Sequence, residues 1–315
     1  MNIDANYVAY AFLNTAFIIL ISPLFMGVAK IVKAQAQGRI GPPLLQPYYN
    51  LLKLAQKERV YSNKSSAITK ITPYINITIM IVASLGIPLA FAPENSGGLG
   101  NIILLLYLLA MGRFFMAAAG LDAGSTFGGM GSSREMSISS IIEPITIIVF
   151  AALAFTLNTM DMHQMFQTAA QEMSFLNPAL ILVSIPLFIV LIVETARVPV
   201  DNPETHLELT MIHETMLLEY AGRDLALMEL SHAIKQTMLM AILINILVPW
   251  GYAREFTAPA VIIGMLLFLA KGIILATFIG LTESSMAKMR LFALPNLFII
   301  AFFLSMLTIL LEVFR

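Results

Sequence analysis

Between Glu194 and Lys235 the chain reads ETARVPVDNPETHLELTMIHETMLLEYAGRDLALMELSHAIK, and there it holds eight of its 19 acidic residues and three of its 4 histidines. Carboxylates and imidazoles exchange protons near neutral pH once burial or neighbouring charge moves their pKa values toward it. Glu204 and Glu208 stand four residues apart and Glu208 and Glu219 eleven apart, so a helix of 3.6-residue period would bring all three near one face. His206 and His213 would take a neighbouring face, and Asp201 and Glu214 flank the set. Pro199 and Pro203 break the preceding helix, and the carboxylates gather just after the break. Leu207, Leu209, Met211, Ile212, Met216, Leu217 and Leu218 interleave with the acids. So apolar a stretch would not stay in water as a loop; a polar face on a buried cavity fits better.

Three further charges stand inside long apolar runs: Arg113 in LLLYLLAMGRFFMAAAG, Glu143 in SISSIIEPITIIVF and Lys271 in MLLFLAKGIILATF. Glu194 and Glu283 lie near the ends of two other runs. A charge at mid-bilayer costs about 2.5–3.5 kcal/mol on insertion scales, so each is expected to face a bundle interior. Arg113 or Lys271 alone could simply neutralise one carboxylate. Together, two bases and several acids at membrane depth suit a chain of titratable groups, with Glu143 and Lys271 as partners and Arg113 beside them.

Other chemistries lack their motifs. His213-Glu214-Thr215-Met216-Leu217 has no second histidine four residues on, so it is no zinc-protease site. The glycine-rich GLDAGSTFGGMGSSRE, Gly120 to Glu135, follows an apolar run instead of a strand, and is read as a flexible loop with Arg134 and Glu135 at the mouth of a bundle. The chain has 0 cysteines, which excludes thiolate-bound iron-sulfur clusters, a nickel-iron centre and disulfides within it. A formal net charge of -1 gives no footprint for nucleic acid.

The elements that must position these groups are membrane spans. Of the 315 residues 58% are hydrophobic and 12% charged, with mean hydropathy +0.84. Several runs reach the ~20 residues that cross a bilayer. Eight spans are predicted: Tyr7 to Val32, Ile71 to Ala92, Asn101 to Leu121, Ile138 to Asn158, Pro178 to Arg197, Lys235 to Ala253, Pro259 to Thr282 and Leu291 to Phe314. The first is too long, and too poor in preceding basic residues, to read as a cleaved signal peptide. Gln46, Asn50, Lys53 and Lys57 share one face of a helix whose other face is apolar, so Gln37 to Glu58 should hold an amphipathic interfacial helix, either an anchor or a docking element. Met162 to Met173 predicts a second short surface helix. The expectation is an all-α, polytopic membrane bundle forming one domain over 1–315, with an acidic segment over about 194–235.

Lysines and arginines follow the first, third, fifth and seventh spans, which by the positive-inside rule puts the acidic stretch in the cytoplasm and both termini outside. Arg39, Lys53, Lys57, Arg134 and Arg197 are then the candidate docking cations. No internal repeat is evident, which weighs against an autonomous secondary transporter.

GRIGPPLLQPYYNLLKL, SSREMSISSIIEP, ETARVPVDNPETHLELTMIHETMLLEYAG and ESSMAKMRLF resemble, in matching order from Gly38 to Phe292, the eight-helix membrane subunit beneath the peripheral arm of respiratory complex I and of energy-converting [NiFe] hydrogenases. HLELTMIHE, the Pro42-Pro43 pair and ESSMAKMRLF are most similar to the hydrogenase branch, which includes formate hydrogenlyase. His206 stands where the complex I branch has a further acid. The resemblance implies a non-redox subunit in a prokaryotic cytoplasmic membrane. It would anchor hydrogenase large and small subunits that carry the iron-sulfur clusters and [NiFe] centre. With other membrane subunits it would couple electron flow from ferredoxin to H⁺ or Na⁺ movement. The alternatives are a quinone-binding complex I subunit and a sulfur-reducing complex. The acidic cluster and intramembrane charges read above supply the candidate coupling residues: Glu143, Glu194, Asp201, Glu204, Glu208, Glu214, Glu219 and Lys271, with Arg113, His206, His213 and Glu283 beside them.

Overall fold

The computed structural model describes residues 5–89, 99–171, 177–202, 211–251 and 257–314. Glu204, His206 and Glu208 lie outside them. The described residues form eleven α-helices and no strand: α1 Ala5–Ala36, α2 Gln46–Gln56, α3 Ala67–Leu85, α4 Ile102–Asp122, α5 Thr126–Thr156, α6 Met162–Gln171, α7 Pro178–Glu194, α8 His213–Leu217, α9 Gly222–Leu247, α10 Ala258–Ser285 and α11 Leu294–Val313. Seven are long and apolar enough to cross a membrane, and α7 is a shorter apolar helix between them. The chain is a polytopic helical bundle.

Local chemistry sets the helix starts. The side chains of Ser66, Asn101 and Asn177 accept from backbone N–H groups of the first turns of α3, α4 and α7. Proline sits in the first turn of α2, α7, α10 and α11, where its missing N–H costs nothing. The central helix is α9, which packs against α1, α2, α3, α7 and α10. Its Lys235, Gln236, Thr237 and Asn245 are all buried, Asn245 about two to three turns beyond the others, so the interior is polar at two levels and must be satisfied at each. The amphipathic reading of α2 fits: it has no buried residue and exposes Tyr49 and Leu52.

Two expectations fail. The glycine-rich stretch is not a flexible loop, because only Ala123 to Ser125 separate α4 from α5 and the remainder is helical. Ser125 caps α5 by accepting from Gly128 N. The glycines serve close packing: a Cβ on Gly120 would lie 2.3 Å from Ser132 Oγ, and one on Gly128 2.6 Å from the Gly120 carbonyl oxygen. Nor does one helix carry the acids through Glu219. Here α8 has 5 residues, Leu218 and Glu219 form a turn, Ala221 is extended, and Gly222 takes φ 59. A side chain at Gly222 would be strained by that φ and would meet the Glu58 carbonyl oxygen at 2.2 Å.

Candidate functional site: a buried ion-pair network and its cavities

Four helices each contribute one charge to a connected set. Arg113, midway along α4, places Nη2 3.3 Å from Glu143 Oε1 of α5 and 3.4 Å from Glu194 Oε1 at the end of α7. The other Glu194 oxygen faces Lys235 Nζ of α9 at 2.7 Å. The Glu194 side chain is 1% exposed whereas that of Glu143 is 42% exposed. The set therefore runs from a sealed carboxylate to one at the outer face of the helix pair.

Cavities follow the same residues. One of about 50 Å³ is bordered by Asn76, Arg113, Glu135, His213, His232 and Lys235. A second, about 20 Å³, shares Arg113 and Glu135 with the first and adds Glu194 and Asp201. A third, about 270 Å³, shares Arg113 and Glu194 with the second and reaches Glu143 between α4 and α5. Consecutive cavities thus share charged side chains from the acidic stretch to Glu143.

A second buried cluster lies beside the first. Arg197 donates from Nη1 to Glu283 Oε1 at 2.9 Å and from Nη2 to Gln236 Oε1 at 2.6 Å. Lys33 Nζ stands 3.3 Å from the other Glu283 oxygen. The two clusters interlock, since neighbours Lys235 and Gln236 on α9 serve one each, as do Glu194 and Arg197. Asp201 accepts from Lys288 Nζ at 2.6 Å and from the backbone N–H groups of Ile212 and His213 at 2.9 and 3.1 Å. Arg134 donates to the Met211 carbonyl oxygen at 3.0 Å. These bonds fix α8 over the cavities. Burial holds the His213 imidazole below its ordinary pKa and pushes the Glu214 carboxyl up.

A family model described as NADH dehydrogenase matches residues 8–313. The chain belongs to that family. It is 28% identical over 305 residues to hydrogenase-4 component C of Escherichia coli, covering 96% of this chain and 95% of that one. It is 27% identical over 290 residues to formate hydrogenlyase subunit 4 of the same organism, covering 92% and 94%. To a subunit of the NADH-quinone oxidoreductase of Wolbachia pipientis it is 28% identical over 289 residues, covering 83% of each. A chain in the structure of the membrane-bound sulfane sulfur reductase, an archaeal respiratory membrane complex, superposes with TM-score 0.81 at 19% identity, over 97% of this chain and 99% of that one, so the fold is shared. This NADH dehydrogenase family member is homologous to membrane subunits of multisubunit oxidoreductase complexes. Among its described residues no group of three or more His, Asp or Glu side chains is arranged to hold a metal ion.

Within this family member the structure brings Arg113, Glu143 and Glu194 together, with Asp201 and His213 at adjoining cavities. Glu283 belongs to the second cluster. Glu214 and Glu219 are half-buried, and neither has an ion pair among the described residues. Lys271 is a correction. It does not meet Glu143 but donates to the Val248 carbonyl oxygen at 2.8 Å and to that of Trp250. The end of α9 leaves carbonyls without intrahelical donors, and an ammonium at membrane depth satisfies them and itself at once. Arg197 is a second correction: at 3% exposure it holds Glu283 inside the bundle and cannot form a docking surface. Arg134 is half-buried and tied to Met211, while Arg39, Lys53 and Lys57 are exposed. Glu135, His232, Lys235, Lys33 and Lys288 were not among the candidates. For two of them a signal existed, because His232 and Lys235 stand three apart on one helix face.

Proposed function

We propose that this chain is the non-redox membrane subunit of a ferredoxin-dependent, energy-converting [NiFe] hydrogenase complex. It anchors the soluble large and small hydrogenase subunits and, with other membrane subunits, couples electron transfer to H⁺ or Na⁺ movement. In this reading it sits in a prokaryotic cytoplasmic membrane with both termini outside, the acidic stretch faces the soluble module, and Arg39, Lys53 and Lys57 help to dock it. The observation that carries the reading is the ion-pair network bordered by consecutive cavities, in a chain with 0 cysteines to bind redox centres of its own. The near full-length likeness to hydrogenase-4 component C and formate hydrogenlyase subunit 4 supports it.

The coupling step follows from Arg113. One Nη2 serves two carboxylates at 3.3 and 3.4 Å, so its hold on Glu143 depends on the charge of Glu194. A proton or cation arriving at Glu194 weakens its claim on Arg113 and shifts the guanidinium toward Glu143, and the reverse movement resets the pair. Redox events in the soluble module drive this by displacing α8, which the bonds to Asp201 and Arg134 hold beside the cavities. The test is to purify the tagged chain in mild detergent and reconstitute what accompanies it in sealed vesicles. Co-purification with a cysteine-rich nickel-iron subunit, and ion uptake that requires reduced ferredoxin, are expected. Recovery of a lone protein that transports unaided would sink the reading.

A further inference from the structure

The network leaves two half-buried imidazoles unused. His213 opens α8, its backbone N–H held by Asp201, and His232 lies on α9 three residues before Lys235. Their ring centroids are 5.1 Å apart with the planes inclined at 40°. Both border the cavity of about 50 Å³, which exceeds the roughly 10–15 Å³ that a water needs. Asn76 and Arg113, on the same cavity, each carry a buried side-chain atom, Oδ1 and Nε, without a hydrogen-bond partner among the described residues, and the cavity gives water access to both. Across the cavity stands Glu135, which also borders the next cavity with Glu194. We propose that His213 and His232 act as one unit that holds a single proton and loads the Arg113 network through Glu135. The proposal rests on the coupling role above and names where its proton enters.

The single-proton capacity follows from the surrounding charges. Glu214, Asp201 and Glu194 face His213 together with Lys235. Lys30, Arg197 and Lys235 face His232, and Arg113 and Glu135 border the shared cavity. Acids dominate on the His213 side and cations on the His232 side, so one imidazolium is tolerated toward the acids. A second, one ring away and beside three cations, is repelled. Burial disfavours the charged form of His213. The pair thus takes a proton only when the acidic stretch brings one in, and it can pass that proton through water to Glu135 without forming a second cation.

The test begins with the full chain in lipid nanodiscs, labelled with ¹⁵N-histidine; its 4 histidines are assigned by single substitutions. Titrated from neutral to about pH 4, His213 and His232 should take up one proton between them, and in H232Q the remaining His213 should titrate alone in one step. Two protons taken up independently near the ordinary imidazole pKa would overturn the proposal. In the reconstituted complex H232Q should keep hydrogen evolution while ion uptake per hydrogen falls about tenfold. H213Q, altered outside the membrane spans, makes the same test should H232Q not assemble. A wild-type ratio of ions to hydrogen in an assembled variant would also overturn it. If E194Q couples normally as well, the coupling reading itself fails, whereas the titration of the pair is decided independently of it.

Discussion

The two buried clusters use the same chemistry in different enclosures. Lys33, Arg197 and Glu283 have side chains 2–5% exposed, their closest contact is 2.9 Å, and none of them borders the three cavities along the network. In the other set Arg113 stands 3.3 and 3.4 Å from its two carboxylates, three cavities border the set, and one carboxylate is 42% exposed. A closed set that joins α1, α10, α9 and the segment after α7 has one arrangement and acts as a staple. In the open set one guanidinium serves two acids beside empty space, and a second arrangement there is what the proposed coupling role requires. Burial alone therefore does not mark function here; adjoining space and an unequal share of partners do.

The largest effect is expected where the staple is cut. Arg197→Ala leaves Glu283 with Lys33 alone and strips Gln236 of its donor, a loss of the order of 3–5 kcal/mol for a buried pair losing one partner. Thermal unfolding and assembly yield in detergent should both collapse. Wild-type melting would show that the closed cluster is no staple and would erase the contrast.

Next comes Glu194→Gln, which preserves shape at the centre of the open set. The complex should assemble and evolve hydrogen, but ion uptake per hydrogen should fall about a hundredfold, each tenfold corresponding to 1.36 kcal/mol of lost electrostatic preference. Assembly failing as badly as in Arg197→Ala would mean that both clusters are structural.

How far this contrast was legible beforehand depends on what each residue announces. The spans were legible because a window of ~20 apolar residues needs no tertiary information, and Arg113, Glu143 and Glu194 stood out as charges within or ending such windows. The first three turns of α5 and α9 were not, because Arg134, Glu135, Asp224 and Glu229 are too polar to read as part of a span until their neighbours are known. The break at Gly222 was hidden because a positive φ is imposed by the close approach of Glu58. Lys271 was mispaired for a related reason: sequence gives the depth of a charge in the membrane and not which helix stands opposite. Glu135 was read only as a loop residue at the bundle mouth, because bordering two cavities is a property of packing that no spacing encodes.

A smaller effect is expected at the exposed cations, which belong to neither cluster. Reversing Arg39 and Lys57 together should weaken retention of the soluble module about tenfold at low salt, with little difference left at high salt, where exposed charges are screened. Equal retention at low salt in a pull-down would remove them from docking and leave α2 as a membrane anchor.

The smallest effect sharpens the boundary of the open set. Lys271 donates to the Val248 and Trp250 carbonyl oxygens at the end of α9 and shares no partner with Glu143. Lys271→Met therefore removes the ammonium that caps the Val248 carbonyl. For a half-exposed ammonium the expected loss is about 1 kcal/mol of stability, with ion uptake per hydrogen unchanged. Glu143→Gln should do the reverse, lowering coupling while assembly holds, because Arg113 keeps Glu194. If the two residues act in separate places, the double variant should show the sum of the single effects to within about 0.5 kcal/mol, as sites without shared partners do. Melting temperature and ion uptake, measured for both singles and the double, complete the cycle. A double variant that restores what Lys271→Met loses would place Lys271 in the Arg113 network after all, and the open set would then extend to the far end of α9.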